Sequence, residues 1–404
     1  MPPPLPPHIQ PTAVSLPPEP LIDQLQNRVP RIPVTLWLIA VNACVFAVML
    51  GFGAGLWHSN NNVQLDWGAN FGPATKDGEW WRLGSALFLH FGLFHLAINM
   101  LSLWDGGRLV ERMYGPARFV LIYICSGLAG NLLSLIAQGD RAVSGGASGA
   151  IFGVYGALMV FLWRERDHLN RSEFKWLFWG AVGFSIVTIV LGLQITGIDN
   201  AAHIGGLCGG ILAGMALARP LDPTQRGGRG RWLAAGILAT SAALLIGNIP
   251  APKYRWSQEV LARSEINEFI YEDARISARW GAILDHAQRK QASFDELAGR
   301  IESEVSSPYA QSFEQLSKLH LDAAAPSAAA LRSLRNYAEV RRNASRALVE
   351  GLRTRDLQQI REALQSAIQA PTMARQKTTD HKKTPQRDVQ SKSTAEHAEP
   401  SAQP

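Results

Sequence analysis

With 404 residues, 47% of them hydrophobic, the chain is long enough for two or three domains, yet its mean hydropathy is near zero. That average conceals seven long apolar stretches between two polar ends, which excludes a single soluble globule. The net charge of +6 does not point to nucleic acid, because the basic residues fall mostly in loops and tails, where membrane topology accounts for the loop portion.

The first 33 residues hold 11 of the 23 prolines and read as an extended, disordered tail. The first apolar run begins near Val34 and lacks a small-residue cleavage pattern, so no signal peptide is expected. A helix needs about 20 mostly apolar residues to cross the hydrocarbon core. Such runs occur near Val34–Leu56, Leu83–Trp104, Phe119–Ala137, Ala147–Trp163, Trp176–Ile195, Ala201–Ala218 and Trp232–Ile249. The fold class expected is therefore an all-α polytopic membrane protein: six helices in residues 34–218, then a basic loop and a seventh span in 219–250. Residues 251–370 show helical periodicity with interspersed charge and read as a soluble module of three or four amphipathic helices separated at Pro308 and Pro326. No catalytic motif appears in that module, so its expected role is contact with a protein partner. Residues 371–404, rich in Lys, Gln, Ser and Thr, read as a second disordered tail.

Lys and Arg in the short loops set the orientation. With the N-terminus inside, the cytoplasmic loops carry Arg108, Arg112, Arg118, Arg164, Arg166, Arg171, Lys175, Arg219, Arg226, Arg229 and Arg231, whereas the opposite side offers Lys76, Arg82 and Arg141. Seven crossings then leave the C-terminal module external, and the expected setting is a bacterial plasma membrane. Cys44, Cys125 and Cys208 lie inside apolar runs at spacings that fit neither a metal site nor a disulfide framework. No metal and no cofactor are expected.

Polar groups inside a span are costly and usually mark a site. The second span carries His90, His95 and Asn99, the last two four apart and hence on one face. The fourth opens on Gly145-Gly146-Ala147-Ser148-Gly149, and the sixth on Asp199-Asn200-Ala201-Ala202-His203, followed by Gly205, Gly206, Gly209, Gly210 and Gly214. A hydroxyl becomes a nucleophile when a base removes its proton, and histidine titrates near working pH. Ser148 and His203 each lie near the external start of a span, so they meet if the fourth and sixth spans touch. Gly206-x-x-x-Gly210 and Gly210-x-x-x-Gly214 permit such an approach, with Gly149 and Gly153 offering the matching groove. At a helix start the Ser148 N–H has no intrahelical partner and can hold an oxyanion, with His95 and Asn99 as side-chain donors. Singly, a membrane serine usually back-bonds to its own helix and a membrane asparagine glues two helices together. Three polar sites at one membrane face are not explained that way.

These segments resemble the rhomboid family of intramembrane serine proteases. The resemblance runs from about Gly78 to Gly214 and rests on Glu79-Trp80-Trp81-Arg82-Leu83, on His90-x-x-x-x-His95-x-x-x-Asn99, on Gly107-x-x-x-Glu111-x-x-x-Gly115, on Gly146-Ala147-Ser148-Gly149 and on Ala202-His203-Ile204-Gly205-Gly206. It implies a Ser148–His203 dyad without a third acidic member, His95 and Asn99 at the oxyanion site, and Phe152 stacked on the His203 ring. It also implies structural roles for Trp81, Arg82 and Glu111, and transmembrane proteins as substrates. The seventh span and the helical module lie outside it. Other hydrolase patterns fail: there is no G-x-S-x-G elbow, no H-E-x-x-H and no G-x-G-D. A catalytically dead relative that binds membrane proteins would have lost Ser148 or His203, and a transporter would be expected to show paired intramembrane carboxylates or an internal repeat.

Overall fold

The computed structural model describes residues 19–218, 220–221, 228–290 and 292–383, and the chain divides into two compact units, Met1–Ala251 and Pro252–Pro404. The protein is all-α and spans the membrane several times. Arg219 and Arg226, counted above for orientation, lie outside the described residues.

The membrane unit begins with a helix the proline content did not lead us to expect. α1 (Leu21–Arg28) buries Leu21 and Leu25 completely in the main core, and its first N–H reaches the Glu173 carboxylate at 3.3 Å. The proline-dense residues up to Pro18 lie outside the described residues. α2 (Pro33–Gly51) starts with proline, whose missing N–H costs nothing at a first turn. Its N-cap residue Ile32 has no side chain to cap with, and Glu111 from a neighbouring helix fills that role. The carboxylate accepts from Val34 N at 3.0 Å, Thr35 N at 2.8 Å and Thr35 Oγ at 2.7 Å.

Between α2 and the next long helix, the chain folds as short elements: α3 (Asn61–Asp66), β1 (Asn70–Phe71), α4 (Gly72–Lys76), α5 (Arg82–Ser85) and a 3₁₀ turn over Ala86–Phe88. The second expected span is not straight. It breaks at Leu89–Gly92, and α6 (Leu93–Tyr114) leaves the 82–88 segment at 90°. Hydropathy cannot see this bend, because the residues on both sides of the break are apolar. Gly115 at φ +85° turns the chain sharply into α7 (Pro116–Gln138), again proline-first. β2 (Val143–Ser144) pairs antiparallel with β1, Asn70 opposite Ser144 and Phe71 opposite Val143. α8 (Ser148–Glu165), α9 (Arg171–Gln194), α10 (Asn200–Leu217) and α11 (Gly230–Gly247) complete the unit.

Counting the bent pair as one, six helical stretches are long and apolar enough to cross a membrane, α11 among them. The expectation of seven counted α8 as well. α8 has the length but falls short in composition, because it ends on Arg164 and Glu165; it is the central helix of the unit, with every residue from Gly149 to Leu158 buried. A helix wrapped by protein need not be as apolar as one facing lipid. α9 is the opposite case, with only Ala181 and Ser185 buried.

The second unit contains α12 (Trp256–Lys290), α13 (Phe294–Ile301), α14 (Ser307–Lys318), α15 (Ala328–Thr354) and α16 (Leu357–Lys383). Pro308 does not separate helices: a π-helical turn over Glu302–Ser306 joins α13 to α14, and the proline takes a first-turn position. Pro326 does lie in a break, between α14 and α15. Pro371, expected to begin a disordered tail, sits inside α16; the residues after Lys383 lie outside the described ones. Ile276, Ile283, Ile301, Val305, Leu348 and Leu352 form the core of this unit. Beside it Tyr309 and Tyr337 both donate to Asp273, and Arg341 donates to the Tyr309 hydroxyl while lying over its ring. Burial pushes the Tyr309 phenol well above its ordinary range, so the hydroxyl remains a donor.

Candidate active site

Ser148 is the first residue of α8, and its Oγ lies 2.9 Å from Nε2 of His203 in the first turn of α10. The two helices meet through backbone. A Cβ on Gly206 would lie 1.9 Å from the Gly149 carbonyl oxygen, and one on Gly210 would lie 2.1 Å from that of Gly153. Glycine is therefore required on this seam by space, and the absence of side chains brings Ser148 within reach of His203.

The His203 ring stacks on Phe152 with 4.3 Å between centroids and 9° between planes. Phe152 stands one turn after Ser148 on the same face of α8. The other ring nitrogen of His203, Nδ1, makes no hydrogen bond among the described residues, so no carboxylate orients the imidazole. What fixes it is the stack, together with the backbone bond from His203 N to Asp199 O at 3.1 Å.

Asp199 is the residue whose role the sequence reading missed. It caps α10, with Oδ1 accepting from Ala202 N at 3.0 Å, while Oδ2 accepts from Ser144 Oγ at 2.6 Å and from Ser134 Oγ. One carboxylate thus ties α10, α7 and β2 together immediately before the Gly145–Ser148 turn. The signal was present, since Asp just ahead of an apolar helical run is an N-cap signature.

His95 faces the same point. A Cβ placed on Gly146, whose φ is +141°, would lie 2.9 Å from His95 Nε2 and 3.8 Å from Ser148 Oγ. Phe91 N–H donates to His95 Nδ1 at 3.4 Å, which leaves the proton of the neutral ring on Nε2, on the side towards Gly146. His90 is fully buried edge-on to His95, centroids 5.0 Å apart. Asn99 is buried at 5% exposure, and its Nδ2 donates to the His95 carbonyl at 2.8 Å. One amide hydrogen is thereby engaged within its own helix and the second remains for another acceptor.

Around this centre the predicted supporting residues separate into two kinds. Arg82 is buried: Nη1 donates to Leu65 O at 2.6 Å and Ala69 O at 3.2 Å, and Nε pairs with Glu79. It therefore organises the loop between α2 and α6. Trp81 is 56% exposed, packing edge-on over Gly68 and under the Arg82 guanidinium at 4.8 Å, so it seals the loop from outside. Gly146 N donates to Ala86 O at 2.8 Å, which with the β1–β2 pair joins this loop to the turn before Ser148. Among the described residues no group of three His, Cys, Asp or Glu could hold a metal ion.

Comparison with known proteins identifies the family. The Rhomboid domain family profile matches residues 77–220. The rhomboid protease AarA of Providencia stuartii is 32% identical over 60% of this chain and 89% of its own length. The chain belongs to the rhomboid family. It is thus an integral, multi-pass membrane protein of a family of intramembrane proteases. The rhomboid protease GluP of Bacillus subtilis (strain 168) is 34% identical over 59% of this chain, and the chain spans 45% of that relative's length. Rhomboid-like protease 1 of Toxoplasma gondii is 33% identical over 40% of the chain and 55% of its own length. The family match ends at residue 220, ahead of α11 and the second unit.

Proposed function

We propose that this rhomboid is an active serine endopeptidase that cleaves peptide bonds in or near the transmembrane segments of other membrane proteins. The observation that carries the reading is the 2.9 Å approach of Ser148 Oγ to His203 Nε2 at the start of two helices packed backbone to backbone. His203 takes the hydroxyl proton as Ser148 Oγ attacks the carbonyl carbon. The oxyanion forms beside the Ser148 N–H, which no helical carbonyl claims, with His95 Nε2 and Asn99 Nδ2 as further donors. His203 then passes its proton to the leaving amine, and water attacks the acyl-enzyme with His203 again as base. With no carboxylate on Nδ1, the face of Phe152 is what stabilises the transient imidazolium.

In this reading the basic loops set the orientation, with the N-terminus cytoplasmic and Ser148 opening towards the external side, and seven crossings, α8 and α11 among them, leave the C-terminal module external. The module offers the extramembrane part of a substrate, or another protein, a surface to contact.

The test is a fluorophosphonate label on detergent-solubilised protein, together with cleavage of a single-span reporter in liposomes. Wild type is labelled and cleaves; Ser148→Ala and His203→Ala do neither and remain folded. The two losses do not add, because neither group works alone. Near-normal turnover in either variant would remove the dyad.

A further inference from the structure

In the second unit, α12 and α14 pack together and leave between them a groove of about 330 Å³. Its floor is apolar: Phe269 and Leu316 are buried, and Tyr337 braces the Phe269 ring edge-on at 6.1 Å between centroids. The α12 wall is acidic, because Glu265, Glu268 and Glu272 recur at helical spacing and so share one face. Glu272 pairs with Arg275 at 2.9 Å, whereas Glu265 and Glu268 pair with no base among the described residues. Arg279, about two turns beyond Glu272, ends the acidic stretch. The α14 wall carries two amides, Gln311 and Gln315, about one turn apart, with Ser312 beside them.

A serine within a helix often returns its hydroxyl to the carbonyl one turn back, as Ser303 does to Gly299 O at 3.0 Å. Ser312 is 6% exposed, lines the groove and makes no hydrogen bond among the described residues. A buried hydroxyl without a partner is costly, so this one calls for an occupant that supplies a donor or an acceptor. Glu265 and Glu268, neighbours on one helix face, repel each other, and a cation set between them relieves both. Each glutamine amide offers a donor and an acceptor, the same pair that a peptide backbone presents. The groove therefore asks three things of one occupant: positive charge towards α12, free backbone amides towards α14 and an aliphatic stem over the floor. A Lys or Arg in an extended chain has all three, since its methylenes cover apolar surface while its head stays with the carboxylates. A small free cation leaves the glutamines unanswered, and a helix has already closed its backbone bonds internally.

We propose that this groove holds an extended, basic segment of a partner protein, with a Lys or Arg stem over Phe269 and its charge between Glu265 and Glu268. The inference gives a place and a chemistry to the contact surface proposed for the module, and it does not rest on the Ser148–His203 dyad. The groove lies wholly beyond the matched family segment, which ends at residue 220.

The experiment measures fluorescence anisotropy of a labelled peptide titrated with the full chain in neutral detergent. The probe is a short Ser/Thr peptide with a central arginine; the controls are the same peptide with glutamate in that place, and N-acetylarginine amide as competitor. The chain carries Ser148→Ala, so that no cleavage intervenes and the readout is independent of the proposed activity. The arginine peptide should bind saturably, the glutamate peptide should not, and the amino-acid amide should not displace it at matched concentration. Glu265→Gln combined with Glu268→Gln should weaken binding about tenfold, as loss of charge-assisted hydrogen bonds does. Glu350→Gln removes an exposed carboxylate outside the groove and should leave the affinity unchanged. Tm measured without peptide checks that each variant is folded. Equal binding of both peptides, or undiminished binding in the double variant, overturns the proposal. Displacement by the amino-acid amide as effective as by unlabelled peptide overturns it too, since the groove would then take a small cation and not a chain.

Discussion

The seam between α8 and α10 admits a sharp test at Gly206. A Cβ there would sit 1.9 Å from the Gly149 carbonyl oxygen, about 1.5 Å short of the 3.4 Å at which ordinary contact begins. The obstacle is backbone, so no side chain can swing aside. Gly206→Ala must therefore push the helices apart by roughly an ångström, or tilt one of them. Overpacking of this kind costs about 1–3 kcal/mol of stability. The larger effect should be on chemistry: His203 stands one turn from Gly206, and a misplacement of about 1 Å commonly costs on the order of 10²-fold in rate. The control is Gly183→Ala on α9, where an added Cβ meets nothing within 4 Å. Reporter cleavage in liposomes and Tm are measured for both. Gly206→Ala should lose about a hundredfold in kcat with a lowered Tm, while Gly183→Ala should match wild type. A fully active, equally stable Gly206→Ala protein would show that the helices do not pack through backbone here.

His95→Ala and Asn99→Ala should each lower kcat by about 10²–10³ with a weaker effect on KM, because these donors act where charge develops; a change confined to KM would refute the role. Asp199→Ala should lower both Tm and kcat, at least about 1 kcal/mol coming from the lost cap alone. Asp199→Asn, which keeps the cap, should recover part of the Tm, and an Asp199→Ala protein identical to wild type would remove the positioning role. For topology, a cysteine at Ser293 should react in intact cells with an impermeant maleimide wherever the external face is exposed; labelling only after permeabilisation would place the module inside.

The grouping of the candidate site residues was more legible in the sequence than the scaffold around them. Ser148, His203, His95 and Asn99 were legible because an ionisable or polar group inside an apolar run has no cheap structural excuse. The glycines were legible because their i, i+4 spacing marks a close approach. The 90° break before α6 was not, since Leu89–Gly92 sits between apolar flanks and interrupts no hydropathy. α1 was hidden by its company: eight residues carrying Leu21 and Leu25 give too short a period to outweigh the prolines on either side. The continuity of α13 into α14 was hidden by Pro308, which reads as a breaker until its first-turn position is known.

The arrangement of restraints says how this rhomboid keeps the proposed catalytic pair in register. Ser148 and His203 lie on helices in direct backbone contact, and that contact can open only at the cost of the whole seam. Asp199 binds the start of α10 to α7 and β2, and β2 is paired with β1, so the turn carrying Gly146 is fastened on both sides. α9 is held differently. It buries two residues and reaches the site through Phe184, which stacks on Tyr155 at 4.2 Å and leans on Phe152 at 5.6 Å. Aromatic contacts of this kind are worth about 0.5–1.5 kcal/mol each beyond the area they bury. Displacing α9 therefore disturbs one neighbour of the His203-stacking ring and none of the hydrogen bonds that fix Asp199, Ser148 and His203. Local stability follows buried contacts, so Ser148 and His203 occupy the rigid part of the fold and the face beside them the yielding part.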